Sequence, residues 1–591
     1  MKSSPTHHLV VLLSSLFIAH SQASAATFVE KGQVRAIIIV PEKPSPVVEN
    51  AARVLRDHIK QMSGVELSIR TEDRITGAPS QDQAWILIGE GKLTEKLGLT
   101  SKELGPGGIF QSTKGNVLAL FGSDAHTTSD PNGTRYAVTT FLEDKLGVRY
   151  LWPGDLGKVV PRRETITVTD FQHRFTPKLA QRRIRSMGYH DRLQVGLDNL
   201  GFKKLDYERL RVDAQRTQAE SPDWFAWHRL GGTLNMKGGH AFGHLWEKYG
   251  KDHPDWFALQ PDGSRDQSKG ADRARLCVSN SDLIAAIAKE KIEELNKTPA
   301  LLGVSIAPND GGRPTFCTCP KCEALDAAKG RKVLLWDFSK GTRRDFEHVS
   351  LTDRESLADW DGWSKATKRI YFRPNLMLQG RRDGLPLLYV HKFGEDFRYL
   401  ASHGMMGTDF DSCCHNWATQ GINYYVVARL HWNPEQNVDA LVDDYCQAGF
   451  GPAAKSIRRY FAGLESLMDE AASKKEKATS VFNLKSLGEL RKELEQARRD
   501  AGTDTIIAKR IDFLELGLRW TEIEVRAHSF LIDPAKTDKG EVKKTLDERF
   551  ALMQDSFLKS PLALNVAYIS WGEDGLWRRL GWIRPKADKK P

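Results

Sequence analysis

The segment 301–326 is rich in side chains that could do chemistry. It contains an acidic residue beside two glycines, followed by three cysteines. The apolar run 301–306 has the length and composition of a buried strand, and Pro308 ends it. Asn309 and Asp310 follow, before two glycines that allow a sharp turn. A carboxylate directly after a buried strand is how an α/β barrel presents a catalytic acid, although Asp310 could equally cap the next helix.

A second acidic sequence, GTDFDSCCHNW, places Asp409 and Asp411 at the end of another predicted strand, residues 406–410. Hydrolysis of a glycosidic bond usually needs two carboxyl groups, one as acid and one as nucleophile or base. We therefore predict Asp310 as the general acid, with its pKa raised by burial or by a neighbouring charge. Asp409 or Asp411 is its predicted partner. Structural hydrogen bonding at a strand end is the alternative role for each carboxylate taken singly.

Polar and aromatic side chains near other predicted strand ends could hold a sugar, whose C–H faces stack on rings while its hydroxyl groups take directional hydrogen bonds. The candidate substrate-binding residues are Arg185, His240, Asn309, Asn375, Trp417, Asn423 and Tyr424. His240 is the strongest candidate, because the glycines beside it in GGHAFGH leave room for a ligand. For the aromatic residues, packing in the interior is the alternative.

Three thiols, those of Cys317, Cys319 and Cys322, have the spacing C-x-C-x-x-C and could bind a structural zinc ion. A fourth ligand would come from elsewhere in the chain: Cys277, Cys413, Cys414, His415 or His240. The second C-x-x-C half of a zinc ribbon is missing, and a disulfide such as Cys317–Cys322 is an equal alternative in an exported protein. Apart from this zinc ion, we predict no cofactor.

Signatures of several other enzyme classes are missing from the sequence. His240 and His244 lie four residues apart, but HAFGH lacks the glutamate of the H-E-x-x-H metalloprotease motif. The sequence has no phosphate-binding G-x-x-x-x-G-K-[ST], no G-x-G-x-x-G after a strand and no G-x-S-x-G elbow. The formal charge is +10, but the basic residues are scattered without a nucleic-acid motif. We predict a polysaccharide or oligosaccharide partner, acidic if the charge has a role, and no nucleic acid.

Longer segments of the chain resemble one protein family. Besides PNDGG and the cysteine motif, they are GTRYAVTTFLEDKLGVRYLWPGDLG, GGHAFGHLW, HPDWFALQPDG, LCVSN, NWATQGINYYVVARLHWNP and AGFGPAA. They are similar to secreted bacterial proteins that carry the domain of unknown function 4838, whose architecture resembles that of β-hexosaminidases and α-glucuronidases. The resemblance implies a glycoside hydrolase with a small α/β domain followed by a barrel.

The chain departs from the family pattern at two places. In hexosaminidases an acidic pair ends the fourth strand, and its second residue donates the proton. Asn309 and Asp310 match that pair, so an amide replaces its first carboxylate. The segment 351–361 is short at a point where family members carry two further strand–helix units. Their absence would open or shrink the barrel. A non-catalytic glycan-binding protein and a zinc-stabilised structural protein are therefore the alternatives to a hydrolase.

The chain of 591 residues is long enough for several domains, and we predict a multidomain α/β fold. Lys2, an apolar stretch and the small-residue pattern at residues 23–25 indicate a signal peptide, residues 1–25. The predicted location is therefore periplasmic or extracellular. No later segment is long and apolar enough to be predicted as a membrane span.

Apolar periodicity divides the remaining chain. Residues 26–175 are predicted as a small α/β domain, with strands at 35–40, 85–88 and 117–121 and helices near 48–64 and 134–146. Residues 176–430 are predicted as a TIM-barrel-like domain, shortened if the missing units are real, with strands at 183–187, 233–236, 275–278, 303–307, 369–372 and 406–410. Residues 431–560 are predicted as a helical bundle, and 561–591 as a tryptophan-containing tail.

Overall fold

The computed structural model describes the following residues of the chain: 25–80, 82–125, 130–186, 193–202, 206–232, 234–235, 240–267, 274–306, 308–309, 316–327, 360–362, 364–365, 370–374, 384–474, 481–532, 537–572 and 580–581. They form a mixed α/β fold, which confirms the predicted fold class. They divide into a first unit and a second unit. The first comprises Met1–Ser101, Phe110–Phe121 and Arg162–Arg174, and the second comprises Lys102–Ile109, Gly122–Pro161 and Phe175–Pro591.

The strands of the described residues are, in chain order, β1 (Ala25–Glu30), β2 (Gln33–Val34), β3 (Ala36–Val40), β4 (Ile69–Thr71), β5 (Ala84–Ile88), β6 (Ile109–Lys114), β7 (Val117–Gly122), β8 (Arg149–Tyr150), β9 (Lys158–Val159), β10 (Ile166–Thr169), β11 (Phe171–Phe175), β12 (Gln181–Ser186), β13 (Ile370–Phe372) and β14 (Met405–Cys413).

The α-helices are α1 (Pro46–Ser63), α2 (Lys92–Lys96), α3 (Gly133–Asp144), α4 (Leu193–Asn199), α5 (Tyr207–Trp227), α6 (Leu245–Tyr249), α7 (Ser281–Lys297), α8 (Pro320–Ala327), α9 (Val390–Ser402), α10 (Trp417–Trp432), α11 (Val438–Phe450), α12 (Ala454–Lys474), α13 (Leu484–Ala501), α14 (Thr505–Ser529), α15 (Lys539–Lys559) and α16 (Val566–Gly572). Among the described residues, no helix combines the length and the apolar character that a membrane crossing requires.

The first unit is organised around a six-stranded sheet of order β11-β6-β7-β5-β3-β4. Its central strands β3 and β5 pair in parallel and are buried along their whole length, which is why both read as unbroken apolar runs. Helix α1 begins after Ser45, whose hydroxyl accepts from the N–H of Val48, and ends at Gly64 with φ 82°. The predicted strands at 35–40, 85–88 and 117–121 and the helix near 48–64 are confirmed.

In the second unit, a parallel sheet of order β12-β14-β13 carries the residues of interest. The predicted strands at 183–187, 369–372 and 406–410 correspond to these three strands. The described residues 275–278 and 303–306 lie outside strands, so those two predictions are wrong; Leu276 makes only an isolated bridge with Phe257. Of the predicted strand 233–236, only residues 234 and 235 are described, and neither belongs to a strand. Within residues 176–430, the described part of the chain thus supplies three parallel strands, and a closed barrel stays a prediction.

The error at the apolar run 301–306 has a physical cause. Leu302 and Ile306 are more than half exposed, so the run does not form the buried strand that its composition predicts. The N–H of Leu302 instead donates to the carbonyl of Asn235 at 2.7 Å. Apolar composition indicates burial only when a neighbouring strand or helix covers the side chains, and composition alone does not say whether one does.

The two faces of the three-stranded sheet differ in character. On one face, Phe410 of β14 is fully buried and packs against Phe393 and Phe397 of α9 and against His431 of α10. Asp409, the preceding residue, points to the opposite face and is only partly buried. This alternation follows from the two-residue period of a strand. Helices therefore cover one face, and charged side chains occupy the other.

Helices α9–α16 form the C-terminal part of the second unit, where a helical bundle is predicted from the sequence. Both predicted apolar stripes are buried: Ile457, Phe461, Leu464 and Met468 on α12, and Ile507, Ile511, Leu514 and Leu518 on α14. Of the predicted tryptophan-containing tail, residues 566–572 form helix α16, and its Tyr568 is buried. Trp577 and Trp582 lie outside the described residues.

Candidate functional site

Three arginines surround the carboxylate of Asp409 on the open face of the three-stranded sheet. Arg185 holds it with two hydrogen bonds, one from Nε to Oδ1 at 2.9 Å and one from Nη2 to Oδ2. Arg183 Nε lies 3.6 Å from Oδ1, and Arg373 Nε lies 3.7 Å from Oδ2. We call Arg183, Arg185, Arg373 and Asp409 the arginine face.

Strand register brings these side chains together. Arg183 of β12 pairs directly with Asp409 of β14, and Phe372 of β13 pairs with Thr408, so Arg373 comes next to Asp409. The residues of one row on one face of a sheet are neighbours in space although the chain separates them widely. The sequence indicates Arg185 and Asp409 only as separate candidates. It gives no sign of Arg183 and Arg373, because only the pairing of distant strands places these two arginines beside Asp409.

The arginine face is accessible. The exposed fractions of the side chains are 55% for Arg183, 31% for Arg185 and 45% for Arg373, against 16% for Asp409. A guanidinium group presents several N–H donors in a planar fork that matches carboxylate, sulfate and phosphate groups. With its oxygens engaged by Arg185, Asp409 is a hydrogen-bond acceptor here, which suits a base or nucleophile better than a proton donor.

Tyr371 stands beside the arginine face. Its neighbour on β14 is Gly407, where an added Cβ would lie 2.9 Å from both the tyrosine ring and the Gln181 backbone, so only glycine fits under the ring. Burial raises the pKa of Tyr371 to about 12, so the phenol keeps its proton at neutral pH. Its hydroxyl is buried and has no hydrogen-bond partner among the described residues, which leaves one donor for a ligand or a water molecule.

The surroundings of His415 are a second feature that only the structure shows. The sequence indicated His415 only as a candidate metal ligand. It follows β14 with φ 59°, a left-handed conformation that is uncommon for a histidine. Its Nε2 lies 2.7 Å from the hydroxyl of Ser186, at the end of β12, and its Nδ1 lies 3.4 Å from that of Ser221. Burial lowers the pKa of His415 to about 4, so the ring is neutral at pH 7 and orients Ser186 through a neutral hydrogen bond.

Four cysteines form a separate cluster in the second unit. The sulfurs of Cys277, Cys317, Cys319 and Cys322 all lie within 4.8 Å of one another. Cys277 Sγ is 3.7 Å from Cys319 Sγ and 3.8 Å from Cys322 Sγ, and none of the four forms a disulfide in the structure. The structure thus selects Cys277 from the five candidates for a fourth ligand. We call this set the four-cysteine cluster.

Polar groups surround the sulfurs of the four-cysteine cluster. The N–H of Leu259 donates to Cys317 Sγ at 3.3 Å, and the N–H of Cys322 donates to Cys319 Sγ at 3.4 Å. The hydroxyl of Ser279 lies 3.1 Å from Cys322 Sγ and 3.5 Å from Cys319 Sγ. Burial by itself would raise the pKa of Cys319, but the hydrogen bonds from Ser279 and Cys322 lower it to about 6.

The predicted catalytic acids are only partly placed. Asp310 and Asn375 lie outside the described residues, as does the side chain of Asp411, whose backbone belongs to β14. The two described neighbours of Asp310 in the predicted site do make contacts. The Nδ1–H of exposed His240 donates to the carbonyl of Pro308 at 2.6 Å, and Nδ2 of buried Asn309 donates to the carbonyl of Ala274 at 2.9 Å.

Three residues predicted to bind a sugar lie in the interior. Trp417, Asn423 and Tyr424, all on α10, are almost completely buried. Trp417 packs edge-on against Tyr424, and Asn423 holds the chain before α9, accepting from the N–H of Tyr389 and donating to the carbonyl of Leu387. The structure therefore offers a sugar no access to them. Buried amides and aromatic rings look the same in sequence as those that line a binding cleft.

Comparison with known proteins gives one family and a set of distant structural likenesses. The family model described as "Domain of unknown function (DUF4838)" matches residues 152–338 and 341–462, more than half of the chain. No curated protein matches the sequence. Among solved structures, the chain is similar to CpGH84B, with 12% identity over 93% of this chain and 98% of that one and a TM-score of 0.38.

Two further solved structures belong to other glycoside hydrolase families. The Flavobacterium johnsoniae chitobiase FjGH20 has 10% identity over 93% of this chain and 97% of its own, with a TM-score of 0.31. A GH138 enzyme targeting pectin rhamnogalacturonan II has 10% identity over 88% of this chain and 73% of its own, with a TM-score of 0.42. At these scores the likenesses carry no weight for the position or role of any residue.

Proposed function

The chain belongs to the DUF4838 family, and we propose that it is an exported carbohydrate-active protein that recognises an anionic glycan at the arginine face. The observation that carries this proposal is the set of three arginines around Asp409, whose side chains are exposed or partly exposed. The resemblance of the sequence to β-hexosaminidases and α-glucuronidases supplies the carbohydrate part of the proposal. The arginine face supplies the anionic group, a uronate or a sulfate.

The chemistry of the arginine face favours a charged substituent over a plain hydroxyl group. Hydrogen bonds between guanidinium groups and carboxylates or sulfates are charge-assisted and contribute about 1.5–3 kcal/mol each, roughly twice the value of neutral ones. Arg183 and Arg373 approach Asp409 only at salt-bridge distance, and their side chains are 55% and 45% exposed, so a ligand can reach them while the carboxylate stays in place.

We further propose hydrolysis of the bound glycan. In this mechanism Asp310 protonates the leaving oxygen, and Asp409 or Asp411 acts as nucleophile or base. The division of roles rests on Asp409, which is held as an acceptor by Arg185 and is therefore poorly suited to donate a proton. His240, which binds the carbonyl of Pro308 two residues before Asp310, would contact the substrate near the acid.

A glycan-binding protein without hydrolytic activity is the second candidate, and one observation favours it. Asn309 occupies the place of the first carboxylate in the hexosaminidase pair, and its amide donates to the carbonyl of Ala274 in the interior. A carboxylate at position 309 would have no N–H to donate to the carbonyl of Ala274. This position therefore has a structural role in the chain, and the acid pair of a hexosaminidase is not reproduced.

Binding of matched oligosaccharides to the full-length protein tests the first proposal. We expect a uronate-bearing or sulfated oligosaccharide to bind at least about tenfold more tightly than its neutral counterpart, because the neutral one offers no charge-assisted hydrogen bonds. The double variant Arg185→Gln/Arg373→Gln is expected to remove this preference. Arg459→Gln, which alters an exposed arginine paired with Glu493 on the helical part, is the matched control and should keep it.

Equal affinity for charged and neutral oligosaccharides, or an unchanged preference in the double variant, would overturn the anionic-glycan proposal. Hydrolysis is tested separately, by release of reducing ends from any oligosaccharide that binds. Asp310→Asn should abolish that release while leaving binding intact. Binding without release by the unaltered protein would favour the second candidate.

A further inference from the structure

We propose that Cys277, Cys317, Cys319 and Cys322 bind one zinc ion as a closed, tetrahedral four-thiolate site. The four-cysteine cluster takes no part in the proposed glycan function, so this inference stands independently of it. The four ligands come from two separate segments: Cys277 precedes α7, and the other three lie at the start of α8 or just before it. Only the fold brings Cys277 to the C-x-C-x-x-C motif.

The distances fit an ion at the centre of the four sulfurs. Zinc binds thiolate sulfur at about 2.3 Å, and a regular tetrahedron with that radius has edges of about 3.8 Å. Cys277 Sγ lies 3.7 Å and 3.8 Å from two of its neighbours, and all four sulfurs lie within 4.8 Å of one another. A cluster of several iron atoms would need its four cysteine sulfurs much further apart.

The arrangement also differs from what a pair of disulfides needs. A disulfide joins two sulfurs at about 2.0 Å and leaves other cysteines out of the bond. Here Cys277 is almost equidistant from Cys319 and Cys322, so its sulfur has no preferred single partner. Such an arrangement is expected when several ligands share one centre.

The groups around the sulfurs resemble the outer contacts of a metal site. Backbone N–H groups of Leu259 and Cys322 donate to Cys317 and Cys319, which orients the sulfurs and offsets thiolate charge. Cys277, Cys317 and Cys322 are buried, which excludes water from most of the site. Four protein ligands complete the coordination sphere of a tetrahedral zinc ion, so the ion would be structural and would not bind substrate.

The ion would link two segments of the second unit, one that contains Cys277 and one that runs from Cys317 to Cys322. The N–H and hydroxyl of Thr318 bond to the carbonyl of Leu259, and the N–H of Cys277 bonds to the carbonyl of Trp256. Two chain segments therefore already meet at residues 256–259. Cys317 follows Asp310 by seven residues, so the ion would also fix the end of the turn that carries the predicted acid.

Metal analysis of the full-length protein, expressed in zinc-supplemented medium and purified without chelators or a metal-affinity column, tests the proposal. We expect about one zinc per chain. Cys319→Ala should reduce this severalfold, while Cys446→Ala, which alters a buried cysteine of α11 outside the cluster, should retain the full amount. Zinc content that is negligible in the unaltered protein, or equal in the two variants, would overturn the proposal.

A second measurement covers the case in which Cys319→Ala does not fold. Co²⁺ in place of zinc in the unaltered protein should give the intense visible absorption bands of a tetrahedral tetrathiolate site. Their absence would count against the proposal. Alkylation of the denatured, unreduced protein gives an independent reading. Modification of all four cysteines after zinc removal supports a metal site, and protection of the four as two disulfides rejects it.

Discussion

Two carboxylates of the second unit are each surrounded by arginines, and they differ in exposure to water. Glu143 accepts from Arg229 at 2.5 Å, from Arg429 at 2.6 Å and from the indole N–H of Trp227 at 2.8 Å. Glu143 and Arg229 are each only 1% exposed. Asp409, in contrast, is surrounded by three arginines whose side chains are between 31% and 55% exposed.

The difference shows what an arginine–carboxylate cluster does in each setting. At Glu143 water is excluded and the guanidinium groups bind other protein groups. Arg149, which also donates to the Glu143 carbonyl, binds Asp444 as well. Such a network fixes helices in place. At the arginine face, the forks of the guanidinium groups remain partly in water, where an anion can exchange with solvent. The same residue types therefore serve structure at Glu143, and in our proposal they serve recognition at the arginine face.

The largest expected effect follows from breaking the buried cluster. Glu143→Gln would leave Arg229 and Arg429 buried without a compensating carboxylate. We expect the free energy of unfolding at pH 7 to fall by about 3–5 kcal/mol, measured by chemical denaturation. The control is Glu493→Gln, which removes a partly exposed partner of Arg459 and should change stability by less than about 1 kcal/mol. Similar losses of unfolding free energy in both variants would show that burial does not increase the contribution of the Glu143 cluster to stability.

Acid should weaken the buried cluster in a defined pH window. Burial alone would raise the pKa of Glu143, but Arg229 and Arg429 lower it from 4.5 to about 2. A carboxyl group whose pKa is lowered by folding stabilises the protein when the pH is above its pKa in the unfolded state. This stabilisation is lost as the pH falls towards its pKa in the folded state. We therefore expect about 3 kcal/mol of stability to disappear between roughly pH 5 and pH 2.

Denaturation across that window, compared between the unaltered protein and Glu143→Gln, isolates the contribution of this residue. The variant lacks the titrating group, so its stability should decline less steeply with acid. Parallel pH profiles for the two proteins would contradict the assignment of this acid sensitivity to Glu143.

A smaller effect is expected when the fork at the arginine face is replaced but the charge is kept. Arg185→Lys retains a cation and loses the planar pair of donors that meets Asp409. We expect anionic-glycan affinity to fall about fivefold, roughly 1 kcal/mol, in titration calorimetry. Lys178→Arg, an exposed lysine paired with Glu435, is the control. An unaltered affinity in Arg185→Lys would mean that charge alone, without donor geometry, accounts for binding.

The smallest expected effect is that of Asp409→Asn on stability. The three arginines remain partly hydrated, so the free energy of unfolding should change by no more than about 1 kcal/mol. Anionic-glycan affinity should stay the same or rise, because a competing carboxylate is lost. If Asp409 is the catalytic partner of Asp310, turnover disappears while binding remains. A stability loss as large as that of Glu143→Gln would place Asp409 with the buried, structural clusters.

Local patterns in the sequence predicted much of the molecule. The apolar runs at 35–40, 85–88 and 117–121 became strands, and the stripes on α12 and α14 became buried helix faces. The quoted motifs predicted the family, which the family model confirms. These signals lie within a few residues of one another, so backbone periodicity and side-chain character are enough to reveal them.

Tertiary pairing decided the rest. The sequence alone established the C-x-C-x-x-C spacing and the mixed α/β class. Only the fold chose Cys277 as the fourth cysteine, placed Arg183 and Arg373 beside Asp409, and put Trp417, Asn423 and Tyr424 in the interior. The reason is that contacts between residues far apart in the chain depend on which strands pair and which faces are covered, and no local pattern records either.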